Sequence, residues 1–377
     1  MPVFPIKFGY GLFSGSPKGK GYLKLNAAYL PSFILYNATR SNQLISPPMK
    51  ILLVRLSSMG DLIHTLPAVQ DLARHCPQVE LHWLAEAGFA DIARLHPFVA
   101  KVIPMRWRQW RKRLFAADTR QQMRVLKQEL AGGGYNFVLD SQGLIKSAWF
   151  ARQAGVPVKG LDKHSAREGW AAAFYAQGFQ VAKGRDAVWR NRELFAQVFG
   201  YRFDGTADFG VRVPEGATVQ GLPENYRVAL HATSRESKLW PDEYWVELLN
   251  RLHAVDGTVV WLPWGSEVER QRALALANQI EAAKVPEEKL NLLQAAYVLH
   301  GARSVIGVDT GLLHLANALN KPLIGIYTDS DPVKTGVQPS AWAENMGGIG
   351  CPPRPEEVFE RLLLLEQAYQ DSRKVFR

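Results

Sequence analysis

Short apolar runs alternate with amphipathic stretches along most of the chain, which is the rhythm of a parallel α/β sheet. In the first half, this pattern predicts strands at 51–56, 81–85, 101–105 and 137–140, and helices at 62–75, 89–95, 120–130, 144–153 and 191–199. Each predicted strand is followed by a helix, so the first half is predicted to form a doubly wound sheet.

The same alternation restarts after a stretch at 204–223 that contains several Gly and Pro residues. The second half is predicted to contain strands at 228–232, 258–262, 304–308 and 323–327, and helices at 242–253, 267–278, 293–300, 312–319 and 355–370. We therefore predict an α/β protein with two Rossmann-like domains, 49–215 and 216–354, that face a central cleft. Ligand sites favour such domain interfaces.

The first 48 residues differ from the rest of the chain, since they carry Lys and Arg but no Asp or Glu and show no clear period. Two interpretations stay open. Translation starts at Met49 and the leader is an upstream artefact, or the leader is a basic, poorly ordered tail that contacts an anionic membrane.

The charge and cysteine content narrow the class of protein. A formal net charge of +10 favours an anionic partner, which could be nucleic acid, a phosphorylated sugar or a membrane surface. The two cysteines, Cys76 and Cys351, supply neither a disulfide framework nor the spacing of a metal site. No apolar run approaches the roughly 18 residues of a membrane-spanning helix.

A single carboxylate, Asp61, follows the first predicted strand and the small-residue turn 57–60. Open α/β sheets place their chemistry at the carboxyl ends of strands, and a carboxylate there can take a proton from a sugar hydroxyl. The alternative is a plain helix N-cap, a position that Asp favours. A second strand-turn-helix stretch, at 305–314, favours the chemical interpretation.

A second strand-turn-helix stretch at 305–314 contains Asp309, Thr310, Gly311 and Leu312 at the predicted helix start. A helix N-terminus offers free N–H groups and partial positive charge to a diphosphate, and Gly311 lets a ligand approach the backbone closely. His314 lies on the first turn of this helix, where a lone histidine is more often structural than catalytic.

Two further loops in the second half carry candidate groups for binding a phosphate and a nucleoside. Thr233, Ser234 and Lys238 follow a predicted strand, and hydroxyls with a lysine suit a phosphate. Glu269 follows the strand end at 261–266 and could bind ribose hydroxyls. The plain interpretation of the first loop is a solvated turn. The plain interpretation of Glu269 is an exposed glutamate on a helix.

The first half carries candidate groups for binding an anionic partner. A basic run interleaved with tryptophan suits nucleic acid or an anionic glycolipid at a membrane equally well. Its members are Arg106, Arg108, Arg111, Lys112 and Arg113. Gln142, Lys146 and Arg167 are predicted to face the cleft and form a second, weaker set.

Taken in order, the motifs at 57–61, 140–147, 231–241, 262–265 and 308–314 resemble the lipopolysaccharide heptosyltransferases of glycosyltransferase family 9, which have the GT-B fold. The resemblance covers about residues 49–370. It is greater to the type that adds the first heptose than to the type that adds the second.

The resemblance implies inverting transfer of heptose from ADP-heptose to a Kdo hydroxyl of Kdo2-lipid A, without a metal or other cofactor. It implies that Asp61 is the general base and that Lys238 stabilises the leaving ADP. The donor site implied by the resemblance consists of Lys238, Thr233, Ser234, Glu269, 309–312 and His314. The implied acceptor side consists of Ser58, Met59, Gly60, the basic run at 106–113, Gln142, Lys146 and Arg167. It also implies a cytoplasmic protein on the inner face of the inner membrane, and a segment 355–377 that packs back toward the N-terminal domain.

Two alternatives to this assignment differ in their partners. An enzyme that adds the second heptose would prefer an acceptor that already carries one. A non-catalytic basic protein that binds nucleotides or nucleic acid would explain the net charge but would give Asp61 no role. We predict no nucleic-acid partner.

Overall fold

A computed structural model describes residues 49–375 of the chain, apart from residues 215 and 217. The leader interpretations concern residues 1–48, which lie outside this part. No described helix is both long and apolar enough to cross a membrane.

The N-terminal domain is built on a parallel six-stranded sheet in the order β3-β2-β1-β4-β5-β6. Its strands are β1 (Lys50–Val54), β2 (Glu80–Glu86), β3 (Val99–Met105), β4 (Phe137–Asp140), β5 (Val158–Leu161) and β6 (Gln177–Phe179). Its helices are α1 (Met59–Ile63), α2 (Leu66–His75), α3 (Ala90–Arg94), α4 (Trp107–Trp110), α5 (Ala117–Ala131), α6 (Ile145–Ala151) and α7 (Ala187–Phe199). Short 3-10 turns lie at Ala87–Phe89, Arg152–Ala154 and Gly169–Phe174.

The C-terminal domain repeats this architecture with the sheet order β12-β11-β10-β7-β8-β9, again all parallel. Its strands are β7 (Tyr226–Leu230), β8 (Val259–Trp261), β9 (Ala283–Lys284), β10 (Val305–Val308), β11 (Leu323–Tyr327) and β12 (Ala343–Gly347). Its helices are α8 (Asp242–Asp256), α9 (Glu267–Ala277), α10 (Leu292–Gly301), α11 (Gly311–Ala318), α12 (Pro332–Thr335) and α13 (Pro355–Val375), with a 3-10 turn at Glu236–Lys238. The predicted fold class, two doubly wound α/β domains, is confirmed.

The core residues of β1 show why each sheet needs helices on both faces. Ile51 and Leu53 belong to one apolar cluster, whereas Leu52 and Val54 belong to another, and all four are fully buried. Successive side chains of a strand point to opposite faces, so a strand without polar positions must be covered twice. Helices on both faces therefore bury the strand, and the loops at the strand ends stay free to form a site.

Several elements differ from their predicted bounds. The predicted helix 62–75 is two helices, α1 and α2, because the chain turns at Thr65 and Pro67 then occupies the first turn of α2. Proline lacks an N–H and is favourable at that position. Strands β5, β6, β9 and β12 were not predicted, since they are short and contain polar residues or glycine.

The terminal helix α13 packs on α8 and β11 of the C-terminal domain, with Val358 and Leu362 in that domain's core. Its Glu366 accepts hydrogen bonds from Arg227 on β7, at 2.8 and 2.9 Å. These contacts lie on the C-terminal domain, and the expectation that the segment also packs back toward the N-terminal domain stays a prediction. The apolar face of α13 packs on the C-terminal sheet. Its Glu366 supplies a carboxylate to the buried Arg227 of that sheet.

We expect Glu366→Ala to lower the free energy of unfolding by about 3–5 kcal/mol, the usual cost of breaking a buried ion pair. Arg227 is fully buried and would keep only Asp256 as a carboxylate partner. Urea denaturation measures the loss. Arg361→Ala, which removes the exposed partner of Glu344, should change stability little.

The same network predicts how stability depends on pH. Burial raises the pKa of Glu366, but Arg227, Ser304 and Arg303 outweigh burial and the pKa is lowered overall from 4.5. The carboxylate therefore contributes stability above pH 4.5 that is lost as the pH falls through the lowered value. An Ala variant with unchanged stability at pH 7 would contradict this role of the pair.

Candidate active site

Asp61 lies in the first turn of α1, directly beyond the carboxyl end of β1. One of its carboxylate oxygens accepts hydrogen bonds from the backbone N–H of Ser58 at 2.7 Å and from the Ser58 hydroxyl at 3.0 Å. The other lies 3.3 Å from Nη2 of Arg55. The N-cap of α1 is Ser58 and not Asp61, so the plain N-cap interpretation of Asp61 is wrong. Asp61 lies at the third helical position, bonds back to the Ser58 backbone as in a capping box, and also faces the pocket described below.

The charge state of Asp61 follows from two opposing effects. Burial raises the pKa of Asp61, whereas Arg55 and the two Ser58 donors lower it, and the net result is a pKa below its usual value of 3.8. The carboxylate is therefore ionised at neutral pH and can accept a proton from a neighbouring hydroxyl.

Asp61 opens into a pocket of about 420 Å³ in the N-terminal domain, which we call the N-terminal pocket. The pocket is lined by Arg55, Asp61, Ser141, Gln142, Leu161, Ser165, Arg167, Lys183, Ala187, Arg190, Asn191 and Leu194. Four of these side chains are cationic, and they surround a single carboxylate. The pocket therefore favours an anionic ligand placed beside a base.

Three of the four cations, Arg55, Lys183 and Arg190, were not predicted from the sequence. Arg55 and Arg190 each have a buried Nε without a hydrogen-bond partner among the described residues. Burial and the nearby Arg55 lower the pKa of Arg190. Of these three residues, only Arg55 had a local signal in the sequence, since it is a charged residue at the end of an apolar run. Nothing in the sequence shows that residues next to β1 and α7 line one pocket.

The predicted acceptor residues of the N-terminal domain separate into groups. Arg167 lines the N-terminal pocket, as does Gln142. The side chain of Gln142, however, accepts the N–H of Leu56 at 2.7 Å and donates to the carbonyl of Ser57 at 3.0 Å. Its amide thus holds the turn that carries Asp61, and both ends of the amide are occupied.

The basic run lies at the end of β3, away from the pocket lining. Arg106, Arg108, Arg111, Lys112 and Arg113 are all exposed. Lys146 is half-buried nearby; burial lowers its pKa, the nearby Arg108 and Arg111 lower it further, and Glu86 and Glu168 oppose them. These cations form a surface beside the pocket rather than part of its lining.

In the C-terminal domain, Lys238 and Asp309 form the central ion pair. Nζ of Lys238 lies 2.6 Å from Oδ2 of Asp309, which also accepts the Ser330 hydroxyl at 2.8 Å. The Thr233 hydroxyl donates to the backbone carbonyl of Asp309 at 2.9 Å. Asp309 therefore positions the lysine between the ends of β7 and β10, and Ser330 is a supporting residue that the sequence did not indicate.

A cavity of about 540 Å³, which we call the C-terminal cavity, adjoins this pair. It brings together Thr233, Ser234, Glu269, Thr310 and Leu312 from the predicted donor set. The Glu269 carboxylate accepts the N–H of Gly265 at 2.6 Å and so closes the loop after β8. These five predicted donor residues therefore converge, although they come from three separate parts of the chain. The other predicted donor residues, Lys238, Asp309, Gly311 and His314, are not among the lining residues of this cavity.

Met59 lines the C-terminal cavity, although the sequence placed it on the acceptor side with Ser58 and Gly60. Helix α1 faces α11, and a Cβ atom built on Gly311 would lie 2.7 Å from Sδ of Met59. Gly60 in turn faces the ring of His314, 3.4 Å from the equivalent built atom. The two helix starts approach so closely because glycine is present in both.

His314 contacts the other domain rather than the cavity. Its Nδ1 lies 3.2 Å from Nε2 of His64, 250 positions away in the chain, and the two rings are edge to face. Burial lowers the pKa of His64 to about 3, with His314 adding to the effect, and burial also lowers the pKa of His314. Both rings are therefore neutral at pH 7, and one donates to the other. The structural interpretation of His314 fits this contact.

We expect Gly311→Ala to lower kcat/KM by roughly tenfold or more, since the added methyl group would press on Met59 and separate the two helix starts. Steady-state kinetics measures the effect. The double variant Gly311→Ala/Met59→Ala should recover much of the loss, because the smaller side chain makes room. Gly60→Ala, which meets His314 at an ordinary distance, should cost less. Failure of the double variant to recover activity would contradict this steric account.

Among the residues that the structure describes, no three His, Cys, Asp or Glu side chains gather closely enough to hold a metal ion. The site as a whole has two parts. In one, the Asp61 carboxylate lies beside the cationic N-terminal pocket. In the other, Lys238 and the start of α11 lie beside the larger C-terminal cavity. This combination can bind two polar ligands, deprotonate one of them and stabilise negative charge on the other.

Comparison with known proteins identifies the family. The family model for glycosyltransferase family 9 (heptosyltransferase) matches residues 123–366. The chain is 44% identical over 308 residues to lipopolysaccharide heptosyltransferase 1 of Pseudomonas aeruginosa strain PAO1, covering 81% of this chain and 86% of the relative. The chain therefore belongs to glycosyltransferase family 9, and it is a glycosyltransferase.

Two further similarities agree with this assignment. Lipopolysaccharide heptosyltransferase 1 of Escherichia coli strain K12 is 40% identical over 286 residues, 75% of this chain and 89% of the relative. The solved structure of the E. coli heptosyltransferase WaaC with ADP superposes with a TM-score of 0.77 at 36% identity, over 84% of this chain and all of that one. The GT-B expectation for the fold is confirmed by this match.

Proposed function

We propose that this chain transfers heptose from ADP-heptose to a Kdo hydroxyl of a Kdo-bearing lipid A in the lipopolysaccharide inner core, with Asp61 as the general base. Heptosyl transfer in lipopolysaccharide synthesis follows from the family and from the relatives described above. One observation carries the proposal beyond them: an ionised carboxylate opens into a cationic pocket, and a second, larger cavity lies across the domain junction.

The C-terminal cavity supports ADP-heptose as the donor. WaaC of E. coli, at 36% identity, was solved with ADP and also with ADP-2-deoxy-2-fluoro heptose. In this chain, the N-terminus of α11 directs N–H groups toward Thr310 and the cavity, where a diphosphate would gain from them. Glu269, at the cavity wall, can accept hydrogen bonds from ribose hydroxyls.

The N-terminal pocket supports an acidic sugar as the acceptor. Kdo carries a carboxylate, and four cations line the pocket. Arg55 and Arg190 have unpartnered Nε–H groups among the described residues, and a carboxylate would satisfy such groups well. The sugar would then be held with a hydroxyl near the Asp61 carboxylate.

The chemical step follows from these positions. Asp61 accepts the proton of the attacking hydroxyl as its oxygen bonds to the anomeric carbon of heptose. ADP leaves from the opposite face, so the configuration inverts. The leaving diphosphate gains negative charge, which Lys238 and the N-terminus of α11 stabilise, so the chemistry needs no metal in this proposal.

The acceptor's lipid anchor determines where the enzyme works. A Kdo-bearing lipid A resides in a bilayer, so the protein must meet a membrane surface to reach it. We therefore place the enzyme on the cytoplasmic face of the inner membrane, where a nucleotide-activated sugar is available.

The test is transfer by the purified chain, measured by mass spectrometry of the product. We expect ADP-heptose and Kdo2-lipid A to give a singly heptosylated product, with the same rate in the presence of EDTA. The anomeric configuration, read by NMR, should be inverted relative to the donor. A product formed only from an acceptor that already carries heptose would instead assign the second heptosyl transfer, and loss of activity in EDTA would overturn the metal-free step.

A further inference from the structure

The turn between α4 and α5 presents two large apolar side chains to solvent. Phe115 is 91% exposed and Leu114 is 40% exposed. We call these two residues the apolar tip. Because two large apolar side chains adjoin each other here, directly after a strongly basic run, the tip is a candidate contact surface.

The apolar tip rests on a well-packed base. Trp110 is buried, and its Nε1–H donates to Oε1 of Gln122 on α5 at 2.8 Å. Trp107 packs edge to face on Phe150 of α6, with ring centroids 5.6 Å apart. The backbone N–H of Ala116 donates to the carbonyl of Arg113 at 3.0 Å. The two tryptophans therefore anchor the segment, and the tip projects from it.

Exposed cations directly precede the apolar tip in the chain. They are Arg106, Arg108, Arg111, Lys112 and Arg113, which we call the basic collar. In the described part of the chain, only Arg113 of these five has a carboxylate partner, the exposed Asp118 at 3.7 Å. Apolar side chains beside exposed cations, most of which have no carboxylate partner, are complementary to an anionic bilayer. The headgroups attract the cations, and the bilayer interior accepts the apolar side chains.

The fold places this surface on the same side as the proposed acceptor pocket. The segment follows β3, and Asp61 follows β1 in the same parallel sheet, separated only by β2. Parallel strands end at one edge, so the apolar tip and Asp61 share that edge. A bilayer in contact with the tip would therefore present a lipid-anchored sugar on the side where Asp61 opens.

Exposed tryptophans extend the apolar edge beyond the tip. Trp149 on α6 is 42% exposed and packs on Phe150, the same ring that contacts Trp107. Trp170 is 80% exposed and lies in the 3-10 turn that packs against α6. Tryptophan is favoured at the level of lipid headgroups, because its ring is both apolar and polar.

We propose that the apolar tip inserts into an anionic phospholipid bilayer while the basic collar binds its headgroups, which docks the enzyme with its acceptor edge against the membrane. This inference deepens the proposed function and rests on its lipid-anchored acceptor. The occupant is the bilayer itself, and the lipid A of the substrate need not be present for binding.

The experiment is flotation of the full chain with vesicles, without any substrate. One set of vesicles contains phosphatidylethanolamine and phosphatidylglycerol, and the other contains phosphatidylcholine alone. We expect binding to the anionic vesicles that weakens with salt, and much weaker binding to the neutral ones. The double variant Leu114→Ser/Phe115→Ser should lower the affinity for anionic vesicles about tenfold.

Matched variants separate this surface from general surface properties. Val255→Ser/Leu364→Ser removes two exposed apolar side chains of the C-terminal domain and should leave binding within about twofold. Arg111→Gln/Lys112→Gln should lower binding about tenfold, whereas the exposed pair Arg202→Gln/Lys284→Gln should have a smaller effect. All of these positions are exposed, and circular dichroism checks that each variant is folded.

The outcomes distinguish this inference from the proposed function. Transfer to a water-soluble, deacylated Kdo acceptor should be unchanged in the tip variant, while transfer to acceptor embedded in vesicles falls. Vesicle binding by the tip variant equal to that of the natural chain would overturn the insertion, whatever the transfer activity. Loss in the charge variant alone would also overturn insertion and would leave a purely electrostatic contact. Absence of any transfer by the natural chain would overturn the proposed function and not the docking.

Discussion

Replacing Asp61 with Asn is expected to lower kcat by about 10²–10⁴-fold, the usual contribution of a positioned general base. The amide has nearly the same shape and can still accept from Ser58, so the turn at the start of α1 should be kept. It cannot take the proton of the acceptor hydroxyl. The affinity for ADP-heptose, measured by calorimetry, should stay within a few-fold, because the C-terminal cavity does not include Asp61.

A matched control is Asp371→Asn, which changes an exposed carboxylate on α13 and should leave kcat unaltered. Turnover by the Asp61→Asn variant close to that of the natural chain would remove Asp61 from the chemistry. A loss of donor affinity as large as the loss of kcat would mean that the substitution disturbs the fold of the site instead.

The pH profile tests the same residue without a mutation. Although burial raises it, the pKa of Asp61 is lowered overall by Arg55 and Ser58 from 3.8. The base stays ionised until the pH falls below that value, so its protonation should not limit kcat anywhere above about pH 5. Removing the ion pair with Arg55→Gln should raise the pKa and shift the acid limb of the profile upward.

Replacing Lys238 with Ala is expected to lower kcat/KM by about 10²–10³-fold, comparable to the loss of one preorganised group that stabilises a developing anion. Two effects add. The leaving diphosphate loses a cation, and Asp309, which is only 10% exposed, keeps a carboxylate without its ion-pair partner. Donor affinity should therefore fall together with turnover, and steady-state kinetics with calorimetry measures both.

A double-mutant cycle separates the two effects of Lys238. If Asp309 acts by positioning the lysine, then Lys238→Ala/Asp309→Ala should be no worse than Lys238→Ala alone, and the two losses should not add. Lys238→Arg should keep part of the activity, since it retains the charge but not the shape. Lys284→Ala, an exposed lysine of the same domain, serves as the control. An unchanged kcat/KM in Lys238→Ala would exclude the lysine from the site.

The local sequence predicts much of the site because parallel sheets follow a simple rule. Asp61, Lys238 and Asp309 each follow an apolar run and precede or occupy a helical turn. Strands of a parallel sheet end at one edge, so the sequence alone predicts that these residues lie at the cleft. The position of each of these residues is determined by the few residues around it in the chain.

Other residues of the site could not be assigned in this way. Arg55, Lys183 and Arg190 converge on one pocket only because β1, the chain before α7 and α7 itself are packed together. Met59 lines the C-terminal cavity because α1 meets α11 across the domain junction. No local pattern encodes which helix of one domain contacts which helix of the other.

By itself, the sequence determined the fold class, the family and the residues at the strand ends, since these follow from local periodicity and short motifs. Only the tertiary structure decided that His64 pairs with His314, that Gln142 holds the turn of Asp61, and that α13 packs on α8 and β11. These contacts join residues far apart in the chain. They are selected by burial and by the hydrogen bonds that buried polar groups require, which depend on the packed molecule rather than on any one segment.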